Sequence, residues 1–258
     1  MKLQSKLLVA SVSLLAAMSV QAANVQVTVT IENLANENSV SFAPFHFGIG
    51  NGSFDGFDIG STANSSLALL AETGNGTGWL ADFAAADAAA TLGSVGGVLT
   101  PGSTASDTFV VDSSGNQYFT FASMVLPSND FFIGNDSPNA YRIFDEMGNL
   151  LLNEITISAN QVWDAGSEVF DPDNAAFVGA GLQRDDQNSV VALNFAELAA
   201  FNGLTTGAGY EFDSQLLADS EISRISFEAS PVPVPAALPL LGSAIMGLVA
   251  VGRRRVEA

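Results

Sequence analysis

The first regular pattern in the chain is Val25-Gln26-Val27-Thr28-Val29-Thr30-Ile31-Glu32, where apolar and polar positions alternate without a break. Side chains along a strand point alternately to opposite faces, so this period predicts a strand with one buried face. Asn33 to Asn38 reads as a turn, and Ser41 to Phe47 as a second strand-like run interrupted by Pro44. Residues 104–111 and 117–126 flank Asp112-Ser113-Ser114-Gly115-Asn116. Residues 140–144 and 150–152 flank Asp145-Glu146-Met147-Gly148-Asn149 in the same way. Both arrangements predict hairpins. Runs at 155–157, 190–193 and 222–227 complete the strands. Helical segments are few and short: Ser65 to Glu72 before Gly74, Leu80 to Ala90 before Gly93, and Phe195 to Phe201 before Gly203. Many short strands parted by turn residues predict an all-β fold, an antiparallel β-sandwich with a few short helices. No segment recurs at a fixed period, which argues against a solenoid or propeller.

The two ends break this pattern. Lys2 and Lys6 precede an apolar run from Leu7 to Val20, and Val20-Gln21-Ala22 supplies small residues for cleavage after Ala22. Residues 1–22 therefore read as a secretory signal peptide, too short and too soon followed by a strand to be an anchor. At the other end, 231–258 comprise a proline spacer, an apolar segment from Val232 to Val251 and the cluster Arg253-Arg254-Arg255. Twenty apolar residues match the length that crosses a bilayer as a helix, and the arginines would stay on the cytoplasmic side. Val232-Pro233-Val234-Pro235-Ala236 followed by that span and the arginines resembles the PEP-CTERM sorting signal in its VPxPA form. The resemblance implies processing by an exosortase-type membrane peptidase and release to the cell surface or extracellular matrix. A plain C-terminal membrane anchor has the same physical pattern.

Between these ends lies a body of 208 residues, 23–230, of a size common for one all-β domain. It carries three arginines (Arg142, Arg184 and Arg224) and no lysine against 26 acidic residues, a formal charge of −23. Such a field repels phosphate polyanions and argues against a nucleic-acid partner. The absence of cysteine excludes disulfides, thiol nucleophiles and Cys-ligated metals. His46 is the one histidine, set between Phe45 and Phe47 on a strand-like run, where a packed side chain is a simpler explanation than a catalytic one. No GxSxG, HExxH, P-loop or GxGxxG motif is present.

Acidic residues gather at turns beside aromatics and glycines in two segments, residues 127–136 (PSNDFFIGND) and 162–168 (VWDAGSE). Calcium takes six to eight oxygen ligands, chiefly carboxylates and backbone carbonyls, which loops at the end of a sandwich can supply. Converging carboxylates repel until an ion neutralises them. Ordinary solvated turns would account for either segment alone, since Asp and Asn bond their own backbone. Asp171-Pro172-Asp173-Asn174 looks partly like an acidic calcium loop but lacks the glycine and distal glutamate of a helix-loop-helix site.

Ser123 to Asp136 followed by Trp163 to Glu168 resembles the spondin domain of F-spondin and many secreted bacterial proteins. Residues 27–34 (VTVTIENL), 55–60 (DGFDIG) and 69–72 (LLAE) agree with it, so the resemblance spans about Val25 to Phe227. It implies an antiparallel β-sandwich similar to the calcium-dependent membrane-targeting sandwich, with one bound calcium ion. Carried over by motif, the ligands are Asp130, Asp164 and Glu168, and Asp136 is a further candidate. Phe131 stands where the family often has Trp, and Glu168 where animal members have Asp. The function this implies is a secreted, calcium-binding, non-enzymatic matrix or adhesion module, with acidic exopolysaccharide or other matrix components as partners. Two other classes remain open: a lectin-like module in which calcium contacts sugar hydroxyls, and a glycan hydrolase using two carboxylates.

Overall fold

The computed structural model describes residues 24–178 and 185–232. The segments expected to be a signal peptide and a C-terminal sorting signal, residues 1–22 and, from Pro233 onward, the apolar tail with its arginines, lie outside the described residues, as does Arg184. Within the described residues no helix is long and apolar enough to cross a membrane. The predicted β-sandwich is what the chain forms.

The first strands are β1 (Asn24–Asn33), β2 (Ser41–Phe42) and β3 (Phe45–Gly50). Two short helices follow, α1 (Ser65–Thr73) and α2 (Thr77–Ala86). Then come β4 (Thr91–Val95), β5 (Thr104–Asp112), β6 (Tyr118–Leu126) and β7 (Phe131–Gly134). The last strands are β8 (Glu154–Ser158), β9 (Trp163–Asp164), β10 (Ala192–Leu193) and β11 (Glu221–Pro231). One sheet has the order β5-β1-β11-β8 and the other β10-β9-β7-β6-β3-β4, with β2 also on β6. Every pairing between named strands is antiparallel.

The alternation at 25–32 does what its period requires. Val27, Val29 and Ile31 are fully buried against the second sheet, while Thr28, Thr30 and Glu32 face outward. Two layers of aromatic and branched side chains meet in between, with the Phe119 ring 4.8 Å from that of Phe227 across the sandwich. The second sheet is also covered on its far side. β6 is buried along nearly its whole length, because Phe119, Phe121 and Val125 face the sandwich core and Ala122 faces α1 and α2.

Strand β3 shows how the helices are seated. In Phe45-His46-Phe47-Gly48-Ile49-Gly50 the large apolar residues point into the sandwich, and His46, Gly48 and Gly50 point to the helical layer. A Cβ on Gly48 would lie 2.3 Å from the Phe83 ring, so the glycine lets α2 approach. His46 is buried there. Its Nδ1 lies 2.8 Å from Ser94 Oγ and its Nε2 2.9 Å from the Gly74 carbonyl, tying β3 to β4 and to the α1–α2 link. Burial holds its pKa below the ordinary histidine value, against a smaller opposing effect of the Gly74 carbonyl.

Three sequence expectations are modified. Residues 112–116 do form a turn, with Asn116 N–H bonding Asp112 O at 2.9 Å, but it is no hairpin. β5 pairs with β1 and β6 with β3 and β7, so the chain crosses between sheets there. The reason is that β6 is apolar on both faces and needs the covered centre of a sheet, whereas β5 is exposed at an edge. Residues 140–144 and 150–152 do turn back on each other as expected, but the ladder is minimal: Leu151 N–H bonds Ile143 O at 2.8 Å and Asp145 N–H bonds Asn149 O at 2.9 Å around the Phe144–Leu150 bridge, while the Asp145 side chain accepts from Met147 and Asn149 within the turn. Phe195–Phe201 is 3₁₀ rather than α-helical.

Substituting Gly48 by alanine is predicted to cost about 1–3 kcal/mol in urea denaturation, because the new methyl strikes a ring packed in the interior. The penalty shrinks in a Phe83→Ala background, where that ring is gone. Equal penalties in both backgrounds would mean that α2 is not seated through this contact.

Candidate metal centre

The site is assembled by the pairing of β7 with β9, in which Phe131 lies opposite Asp164 and Phe132 opposite Trp163. Asp130 immediately precedes β7, so the register brings it to the turn that leaves β9, and its carbonyl accepts from Ala165 N–H at 3.1 Å. The turn itself follows from Asp164-Ala165-Gly166-Ser167-Glu168. Asp164 Oδ1 accepts from Gly166 N–H at 2.7 Å, and Gly166 has φ +66°. A Cβ at Gly166 would lie 2.8 Å from Ser189 C, so both conformation and space favour glycine. The next two amides then turn toward Asp130. Its Oδ2 accepts from Ser167 N–H at 2.7 Å, from Ser167 Oγ at 3.2 Å and from Glu168 N–H at 3.0 Å.

The rest of the 127–136 segment supports this arrangement. Ser128 is fully buried, donating to Val125 O and accepting from Phe131 N–H. Asn129 Oδ1 accepts from Asp171 N–H at 2.9 Å. Phe131 is inside the sandwich core near the Phe170 ring. Trp163 packs 5.3 Å from the Phe57 ring and donates from Nε1 to Gly134 O, which makes it a brace for β9.

The electrostatics of the pair are unfavourable without a counter-charge. Asp130 is 2% exposed. Burial, and then the Asp164 charge, raise its pKa to about 6, although the three donors from Ser167 and Glu168 pull the other way. Asp164 Oδ2 is steadied by Asn194 Nδ2 at 3.1 Å. Asn194 had no signal in the sequence; it reaches Asp164 because β10 pairs with β9.

Of the residues expected to bind metal, Asp130 and Asp164 meet. Glu168 is buried in the same turn and lends its backbone N–H to Asp130. No three His, Asp or Glu side chains are grouped to hold a metal among the described residues. Asp136 lies at the other end of β7 and accepts from Ile59 N–H at 3.1 Å, serving another loop. Asp171 closes its own turn, accepting from Asp173 N–H and Asn174 Nδ2.

Neither the protein-family models nor the curated proteins gave a match to this chain.

Because the folded-state pKa of Asp130 is raised, the folded protein binds more protons than the unfolded chain between the ordinary value of 3.8 and about 6. In chelator, stability is therefore predicted to fall as pH rises through that window, by on the order of 3 kcal/mol. Asp130→Asn keeps an acceptor for the three donors and should flatten the slope. A chelated wild type whose stability rises across the window would contradict the burial and charge assignment.

Proposed function

We propose that this is an exported, calcium-binding, non-enzymatic module of the cell surface or extracellular matrix. What carries the proposal is the buried Asp130 carboxyl held beside Asp164 at the rim of the sandwich, with its pKa raised by burial and then by the Asp164 charge. A divalent cation fits that pair by charge. Asp130 and Asp164 would be its acidic ligands, Glu168 is the further acid of the same turn, and backbone carbonyls and water would complete a shell of the size calcium takes. Bound calcium would cross-link the start of β7 to the turn after β9, replacing the disulfides that a chain without cysteine cannot form.

Two observations favour a binding module over the other classes. Phe131 and Trp163, the aromatic neighbours of the two acids, are 1% and 8% exposed, so neither offers a face on which a sugar could stack. Asp130 is too deeply buried to meet a glycosidic oxygen of a polymer. Arg142 is engaged with Gln117 and Phe144 O, and Arg224 with Glu32 and Glu154, so the body presents chiefly acid. Such a surface would recruit divalent ions and through them acidic exopolysaccharide. The sorting signal, by its resemblance, would pass through an exosortase-type peptidase on the way.

Thermal unfolding tests the calcium claim. At a thousandfold excess over its dissociation constant calcium should add about 4 kcal/mol. Asp164→Asn should abolish that gain and, in chelator, raise the melting temperature at neutral pH by removing the charge that faces Asp130. A wild type indifferent to calcium would overturn the proposal. Binding to purified acidic exopolysaccharide should likewise fall in chelator; equal binding with and without calcium would rule out ion bridging.

A further inference from the structure

The chain enters and leaves the sandwich at one place. Val25, near the start of β1, pairs with Pro231, at the end of β11, and half-buried Val232 follows. The turn at 145–149 comes to the same end. Phe227 N–H bonds Asn153 O at 2.9 Å, so the residues before β8 run beside β11. Gly148, Asn149 and Leu150 accordingly share a hollow of about 230 Å³ with Val25, Ala229 and Pro231.

Two large apolar side chains project there: Met147 is 79% exposed and Leu151 58%. The Asp145 carboxylate is folded back into the turn, accepting from Met147 N–H, Asn149 N–H and Asn149 Nδ2. Glu146 is the outlying charge, 4.0 Å from Arg142. Either apolar side chain alone would be ordinary surface. What gives the pair a partner is where the chain goes next. The apolar run from Val232 to Val251 begins one residue after β11. On the reading that this run crosses the bilayer, no polar linker parts the sandwich from the membrane. Even if Val232 to Ala236 form an extended proline-rich spacer, they reach only about 15 Å, of which the headgroup layer takes about 5–8 Å.

The geometry points to a lipid-docking face at this end of the sandwich, with Met147 and Leu151 seated in the interface of the bilayer that holds the tail. This rests on the reading of residues 232–251 as a membrane span. The surface it fits is zwitterionic, because Asp145, Glu146 and the acidic body oppose anionic headgroups. Docking there fixes the orientation of the whole domain. β5 reaches this end at Asp112, opposite Asn24. The chain turns over at 112–116, and β6 runs away to Leu126, which pairs with Ser41 beyond the far end of β1. Asp130 follows Leu126 and so lies at the opposite rim. The proposed calcium site then faces outward, away from the membrane and toward the matrix.

The chain has no cysteine, so one introduced thiol carries a fluorophore alone. Full-length protein is placed one copy per phosphatidylcholine nanodisc, so that no second copy can shield the label. Three variants are compared: Met147→Cys at the tip, Glu37→Cys in the loop beyond the far end of β1, and Ser243→Cys within the apolar run. Iodide in the buffer quenches a label that water reaches. The label at 243 should be shielded, which reports the tail in lipid. The label at 147 should lose most of the iodide quenching seen at 37 and should be quenched by a spin label on the lipid headgroups. Leu151→Asn should restore iodide access at 147, and exchanging part of the lipid for phosphatidylglycerol should restore it in part. A shielded 243 with 147 as open as 37 would overturn the docking face and leave the span intact. An open 243 would remove the span and the docking face with it. Shielding at 37 rather than 147 would reverse the orientation and overturn the proposal.

Discussion

The buried carboxylate of Asp130, pinned by the amides of Ser167 and Glu168 and faced by the charge of Asp164, is the constraint around which this end of the molecule is organised. Hydrogen bonds and like-charge repulsion act there in opposite senses. The donors fix the carboxylate in place, and burial with Asp164 makes its charged form costly. A fold does not gain stability from two acids placed this way; on the proposed reading, a bound cation would turn that cost into cohesion.

The sandwich makes that geometry rigid. β7 is held on one side by β6, which is buried on both faces, and on the other by β9. β9 spans only two residues, and its position depends on Trp163, which packs against Phe57 and bonds Gly134. Phe57 in turn belongs to the cluster that includes Leu67, Trp79 and Phe83 of the helical layer. The helices are therefore part of the scaffold that aims the rim turns. They can lie close because β3 places Gly48 and Gly50 on the face that receives them.

Much of this was legible in the residues. The alternation from Val25 to Glu32 specified both the strand and its buried face, and Pro44 marked the break between β2 and β3. Asp130 and Asp164 could be paired because their local motifs resemble a known combination; spacing along the chain, 34 positions apart, contains no such information. Other features depend on tertiary context. Residues 131–134 read as part of an acidic loop, yet they form β7, since Phe131, Phe132 and Ile133 find buried neighbours on both sides. The turn at 112–116 has hairpin chemistry, but turn residues do not say which sheet the next strand will join. Asn194 acquires its role only once distant segments are packed together.

The central claim is that Asp130 and Asp164 together hold one calcium ion. Equilibrium dialysis of the purified protein against radioactive calcium tests it most directly, in wild type and in an Asp130→Asn/Asp164→Asn variant. The account predicts one tightly held ion per chain in the wild type, lost in the variant while the many weak sites of an acidic surface persist in both. Identical binding curves for the two proteins would contradict it.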